Sequence, residues 1–176
     1  MPEPVPVPRE RPIVLRPAEP VDAAAVAVIW RDGWRDGHLR HVPDELVAVR
    51  TPESFAVRAA ERVADTTVAV VGGVVAGFVM VVGDEAEQLY VAGEHRGAGV
   101  AGSLLGHAEE VVRKAGHERV WLAVATGNAR ARRFYERQGW VDEGAFEYAA
   151  EGPDGPIAVP CHRYVKQMEG PAEKPR

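Results

Sequence analysis

The residues with most chemistry to offer lie in one short run, Leu89-Tyr-Val-Ala-Gly-Glu-His-Arg-Gly-Ala-Gly-Val-Ala-Gly102. A strand end, a glycine-rich turn and a helix start in succession make an anion site. Small residues let backbone N–H groups approach a diphosphate, and the helix dipole adds partial positive charge. The donors on offer are the amides of Gly97, Ala98, Gly99, Val100, Ala101 and Gly102, with Arg96 at the entrance. Further along, Asn128 and Tyr135 stand seven residues apart, so two helical turns put them on one face. Asn128 is a good helix cap, and Tyr135 brings a phenol to the same surface. Earlier in the chain Trp30, Trp34, His38 and His41 cluster near Asp32 and Asp36. Aromatic rings flanked by carboxylates suit a cationic amine. The two histidines lack a third ligand, so no metal site is read there.

These residues need elements to hold them. Ile13–Arg16 reads as a short strand and Asp22–Trp30 as an Ala-rich helix with Asp22 as its cap. Arg31–Arg50 reads as irregular, because Gly33, Gly37 and Pro43 interrupt any long helix. Thr51-Pro52 opens a second helix that ends near Asp65. Thr67–Val71 and Val74–Val82 are apolar β-branched runs around Gly72-Gly73, a hairpin signal. Glu85–Val91 is a further strand. The next helix carries Val100, Leu104, Ala108, Val111 and Ala115 at intervals of three or four, with Gly116 as its stop. Arg119–Ala125 is a strand, Asn128–Gln138 a helix, and Val141–Tyr148 and Pro160–Lys166 are late strands. The order predicts an α/β fold, with a mixed sheet of about seven strands and about four helices.

Composition sets the bounds. The chain has 176 residues, 46% of them apolar and 27% charged, which suits one soluble domain. We divide it into a Pro-rich arm over 1–11, a single domain over 12–168 and a tail over 169–176. With 21 Lys and Arg against 26 Asp and Glu, the formal charge is −5, which argues against nucleic acid or an anionic membrane as main partner. No apolar run approaches the ~20 residues that span a bilayer, and the N-terminus has no signal-peptide core. One cysteine, Cys161, leaves no disulfide framework and no multi-cysteine zinc site. Together these predict a cytoplasmic protein. The late strands, read as exposed, point to a homodimer.

Two cofactor readings compete for the glycine run. Gly97-x-Gly99-x-x-Gly102 fits the dinucleotide fingerprint, but that pattern wants its first glycine directly after the strand and an acid ~20 positions on. Here Ala92–Arg96 intervene, and the strand through Val120 runs into Thr126-Gly127 without an acid. NAD binding therefore ranks second. The run resembles the acyl-CoA signature of the GNAT superfamily of N-acyltransferases, Gln/Arg-x-x-Gly-x-Gly/Ala, which Arg96-Gly-Ala-Gly-Val-Ala101 satisfies. The stretch from Trp121 through Asn128, Phe134-Tyr135 and Gly139-Trp140 resembles that superfamily's second half, and the likeness covers about Ile13–Met168.

The resemblance implies a GNAT fold and acetyl-CoA as acyl donor, with a primary amine as acceptor and direct transfer in a ternary complex. It implies that the pantetheine arm lies between strands Glu85–Val91 and Arg119–Ala125, held by backbone groups of Leu89, Tyr90 and Val91. The amides of Gly97–Gly102 would hold the diphosphate, Asn128 and Arg133 would add cofactor contacts, and Tyr135 would protonate the departing thiolate. Trp30, Trp34 and His38 would line the acceptor pocket. Some members carry a glutamate where this chain has Ala123; others carry it on the preceding strand, where Glu85 and Glu87 stand. Glu87 is the chosen base. The absent glutamate also leaves room for a second function class, a CoA-binding regulatory or sensor module without chemistry.

Overall fold

Two segments of opposite habit frame the molecule: β-branched runs that can only pair, and Ala-rich or amphipathic runs that can only coil. In the computed structural model, residues 10–169 are described; the remainder of the arm over 1–11 and of the tail over 169–176 lies outside them. The strands are β1 (Ile13–Pro17), β2 (Thr66–Val71), β3 (Val74–Val82), β4 (Glu85–Val91), β5 (Arg119–Ala125), β6 (Val141–Ala150) and β7 (Ile157–Gln167). The helices are α1 (Ala23–His38), α2 (Asp44–Val49), α3 (Pro52–Glu61), α4 (Val100–Lys114) and α5 (Ala129–Arg137). The seven strands form one mixed sheet in the order β1-β2-β3-β4-β5-β7-β6. β1 to β4 form an antiparallel meander, and β5, β7 and β6 form a second antiparallel set.

The sheet separates two cores. On one face Val100, Leu104, Leu105, Ala108 and Val112 of α4 pack with Tyr135 of α5 against Val79, Val120 and Leu122. On the other face Val26, Ile29, Trp30 and Trp34 of α1 and Phe55 and Ala59 of α3 pack against Val68, Phe78 and Met80. Burial of these apolar side chains, at about 25 cal/mol per Å², is the main force holding both layers to the sheet. The α4 stripe therefore turns slightly from the predicted line: Val112 is buried, whereas Val111 is 37% exposed.

Two expectations are corrected. The segment after Trp30 is helical, not irregular: α1 continues through Gly33 and Gly37 to His38, and α2 follows as a separate short helix. Packing of Trp30 and Trp34 against α3 and the sheet outweighs the ~1 kcal/mol that each mid-helix glycine costs. Among the described residues five α-helices flank the seven-stranded mixed sheet, in keeping with the expected α/β fold. Asp22 does not cap α1 with its side chain. Its carboxylate instead accepts from the Arg16 guanidinium at 2.7 and 3.0 Å and from the Glu19 N–H at 2.8 Å. No helix among the described residues is long and apolar enough to cross a membrane.

Candidate active site

β4 and β5 are the parallel neighbours at the centre of the sheet, and they do not run side by side for long. They pair at Glu85 and Trp121, and beyond that pair no ladder joins them among the described residues. The closed end is pinned by Asp84. Its carbonyl accepts from the Trp121 N–H at 3.0 Å, and its carboxylate accepts from the Trp121 indole N–H at 3.0 Å. From there the strands diverge. The inner edge of β4 is left without a strand partner, an arrangement that invites an extended ligand to add as a strand.

Two cavities open on opposite sides of this gap. The larger, about 560 Å³, is lined by Leu89, Tyr90, Val91, Arg96, Gly97, Gly99, Val100, Ala101, Gly102 and Asn128, with Phe134 and Gln138 opposite. The smaller, about 250 Å³, is lined by Trp30, Trp34, His38, Arg50, Arg58, Glu87, Leu122, Ala123, Tyr148 and Cys161. Leu89, Tyr90, Asn128, Ala131 and Tyr135 belong to both linings, so the cavities meet at these residues.

The larger cavity is a donor nest. Gly97 and Gly99 adopt φ of +79° and +83°, a region that other residues enter only at a cost, and a Cβ on either would meet nothing within 4 Å. Gly99 is the N-cap of α4 and offers no side chain to cap it. The amides of Gly97 through Gly102 have no backbone acceptor among the described residues, whereas the next amide, Ser103 N–H, closes the first helical bond to Gly99 O at 3.1 Å. Successive unpartnered donors at a helix start, beside a cavity, fit a diphosphate. Ala98 is not in the cavity lining. Neither is Arg133, which is exposed. At 100° per residue the cavity face of α5 runs through Arg130, Phe134, Arg137 and Gln138, and Arg133 points to its flank. Arg130 and Arg137 are the arginines that reach the rim. Arg96 pairs with Asp36 of α1 at 2.9 Å.

Where the cavities meet, α1 comes unusually close. A Cβ on Gly33 would collide with the Tyr90 ring, and one on Gly37 would lie 2.8 Å from Asn128 Nδ2. The glycines that sequence reasoning took for helix breakers therefore serve close approach. Their spacing of four, one helical face, is the signal that could have revealed it. Asn128 caps α5 by accepting from the Ala131 N–H at 3.2 Å, which leaves its amide NH2 facing the junction. Tyr135 is 9% exposed and sits among Phe134, Trp140 and Tyr164, with ring centroids at 5.2, 6.1 and 6.1 Å. Burial pushes its phenol above the usual tyrosine range, so it keeps its proton. No side-chain hydrogen bond engages that hydroxyl among the described residues.

The smaller cavity holds the predicted acceptor residues, with changes. Trp30 is fully buried against Phe55 and Phe78, so it builds the wall. Trp34 stacks on His38 at 5.4 Å. With its Nδ1 donating to the Trp34 carbonyl at 3.1 Å, His38 leaves Nε2 as an acceptor, and burial pushes its pKa down to about 4. Asp32 and Asp36 lie outside this cavity, on the opposite side of α1. Glu87 lines the cavity, but both its oxygens accept from Arg62, at 2.8 and 3.0 Å. Glu85 is held at the closed end by the Tyr148 hydroxyl at 2.8 Å, and burial raises its pKa. Cys161 is buried, with its thiol pushed up to about 11, so it stays protonated rather than nucleophilic. Arg50 and Arg58 went unread in the sequence; nothing in their local spacing marks them. Among the described residues no cluster of His, Cys, Asp and Glu could hold a metal.

Comparison with known proteins places this architecture. Residues 25–140 match the Acetyltransferase (GNAT) family. A GCN5-related N-acetyltransferase from Rhodopseudomonas palustris superposes with a TM-score of 0.70 at 23% identity, covering 90% of this chain and 98% of that one. The yncA protein of Salmonella typhimurium, solved with acetyl-CoA, gives 0.65 at 18% identity over 93% and 98% of the two chains. The PaiA N-acetyltransferase of Thermoplasma acidophilum, in complex with coenzyme A, gives 0.65 at 17% identity over 89% and 99%. At such identities the likeness is one of fold. No curated protein matches the sequence.

Proposed function

The chain belongs to the GNAT acetyltransferase family, and from that premise we propose that it transfers the acetyl group of acetyl-CoA directly to a primary amine. The observation that carries this reading is the junction of two cavities across one gap in the sheet, with a proton-bearing phenol at the point of contact. The acetyl thioester enters from the nest side and supplies the acyl group. Amides of Gly97–Gly102 hold the diphosphate, and the free edge of β4 at Leu89–Val91 aligns the arm. Asn128 Nδ2 steadies it from the α5 side, with Arg130 and Arg137 at the rim. The amine arrives from the other side, so donor and acceptor meet without leaving the sheet gap, the geometry that makes transfer effectively unimolecular.

The amine reaches the carbonyl only after losing a proton. Glu87 takes it through a water, using the lone pairs that Arg62 leaves free. Arg62 fixes the Glu87 carboxylate on the cavity wall, and the residue relays the proton on to solvent. The new C–N bond forms as the C–S bond breaks, and the Tyr135 hydroxyl gives its proton to the departing sulfur. The protein acts in the cytoplasm, in keeping with a lone buried thiol. Among the described residues β6 ends the sheet with an unpaired edge, which supports pairing with a second copy.

Calorimetric titration with CoA and NAD side by side, followed by thiol release from acetyl-CoA with an amine panel, tests the reading. CoA binding with acceptor-dependent thiol release is expected. Tight CoA binding without turnover of any acceptor would favour a sensor module, and preference for NAD would overturn the nest assignment.

A further inference from the structure

The wall of the smaller cavity away from Tyr135 carries two arginines from separate elements, Arg50 at the end of α2 and Arg58 in α3. Both are half-buried, and burial lowers both pKa values, that of Arg50 to about 10. The like charge of Arg58 also lowers Arg50, and that of Arg62 lowers Arg58. A guanidinium in such a place ordinarily has a carboxylate across from it, because an unpaired charge out of water is costly. Here no carboxylate forms an ion pair with either among the described residues.

The neighbouring charges are already committed or stand off. Glu87 is taken by Arg62. Glu151 sits exposed at the rim; its backbone carbonyl, not its carboxylate, accepts from Arg50 Nη2 at 2.7 Å. Arg58 spends its charge on the Trp30 ring, 4.3 Å from the centroid. Each guanidinium has five N–H donors, so among the described residues Arg50 keeps most of its own and Arg58 keeps all. His38, facing them, is neutral near pH 7. The smaller cavity therefore holds two guanidiniums with donors to spare, beside a Glu87 carboxylate that Arg62 has taken and Glu151 at the rim, unlike the carboxylate-flanked pocket expected for a polyamine.

We propose that the acceptor carries, besides its amine, an anionic oxygen group that docks on Arg50 and Arg58, so that the preferred acceptors are amino acids and other small amino-carboxylates. Planar guanidinium forks match a carboxylate in two parallel hydrogen bonds. The anionic end held at this wall turns the amine toward the junction at Tyr135 and Leu89. A volume of about 250 Å³ lies below the range of drug-sized sites and suits a molecule of that class. This inference rests on the acetyl transfer assigned above.

The test is matched-pair kinetics on the full chain with acetyl-CoA: free L-amino acids against their own carboxamides, with spermidine as a polycation. Free acids are expected to exceed their amides at least tenfold in kcat/KM, with spermidine weakest. Arg50→Gln and Arg58→Gln should each raise the acceptor KM roughly 10–100-fold, the worth of a charge-assisted hydrogen bond, with the dissociation constant of CoA unchanged. Amides or spermidine equal to or better than the acids would overturn the proposal, as would CoA binding with no amino-carboxylate acetylated. Failure to bind CoA at all defeats the transfer reading first and this one with it. The comparison of acids and amides on the parent chain needs no substitution, so it stands even where loss of Arg58 from Trp30 unsettles the fold.

Discussion

Tyr135→Phe separates chemistry from structure more cleanly than any other change in this molecule. The substitution removes one hydroxyl that no protein group engages among the described residues and keeps a ring whose neighbours Phe134, Trp140 and Tyr164 lie within 6.1 Å. Stability should therefore move by no more than about 0.5 kcal/mol, since neither a cavity nor an unpaired partner is created. Loss of a positioned general acid costs ~10²–10⁴ in rate, equivalent to roughly 3–5 kcal/mol of barrier. We expect kcat to fall at least 100-fold, with CoA affinity and the urea midpoint unchanged. Thiol release read with a chromogenic disulfide gives kcat, and fluorescence unfolding gives the midpoint. Because burial raises the phenol above the usual tyrosine range, the parent enzyme should show no basic fall in kcat from this group below about pH 10. A variant that retains a third or more of parental kcat would refute the assignment. So would a slow variant whose unfolding midpoint dropped in proportion, because the loss would then be structural.

Further outcomes follow from the same geometry. Gly99→Val forces a β-branched residue into φ of +83° and should weaken CoA at least tenfold by calorimetry; Gly116→Ala, at φ of +90° beyond the other end of α4, carries comparable strain and should leave CoA binding intact. Gly33→Ala gains ~1 kcal/mol of helix propensity but drives its methyl into the Tyr90 ring, so the urea midpoint should drop, whereas Gly106→Ala, with open space around it, should raise it. His38 is held neutral with a pKa of about 4 against 6.5 unfolded, so the unfolded chain binds more protons between those values. Stability should thus fall as pH drops from about 6.5 toward 4, by up to roughly 3 kcal/mol, and His38→Gln should flatten that slope in denaturant titrations.

Much of the frame was readable from the residues. The hairpin around Gly72-Gly73, the strand Glu85–Val91 and the helix opened by Thr51-Pro52 appear where local chemistry puts them. Thr51 accepts from the Ser54 N–H at 3.2 Å, as a capping threonine should. The region from Arg31 to Arg50 was misread because glycine weakens an isolated helix, while Trp30 and Trp34 bury enough apolar surface to carry α1 past both glycines. Arg133 stands close in sequence to Arg130 and Arg132, and the sequence does not say which way their helix is rotated; it is Arg130 and Arg137 that line the cavity.

What the sequence determined alone is the main-chain geometry of the donor side. A strand, glycines free to take positive φ and a helix start fix a row of unpartnered amides, since those properties are set within a few residues. The tertiary structure decided the company each charged side chain keeps. It gave Glu87 to Arg62, 25 positions away, and left Arg50 and Arg58 on a cavity wall with no carboxylate ion-paired to either among the described residues. It also set Asp32 and Asp36 on the wrong side of α1 to receive an amine. Electrostatic partnership depends on distance and burial across the packed fold, and no local spacing encodes either.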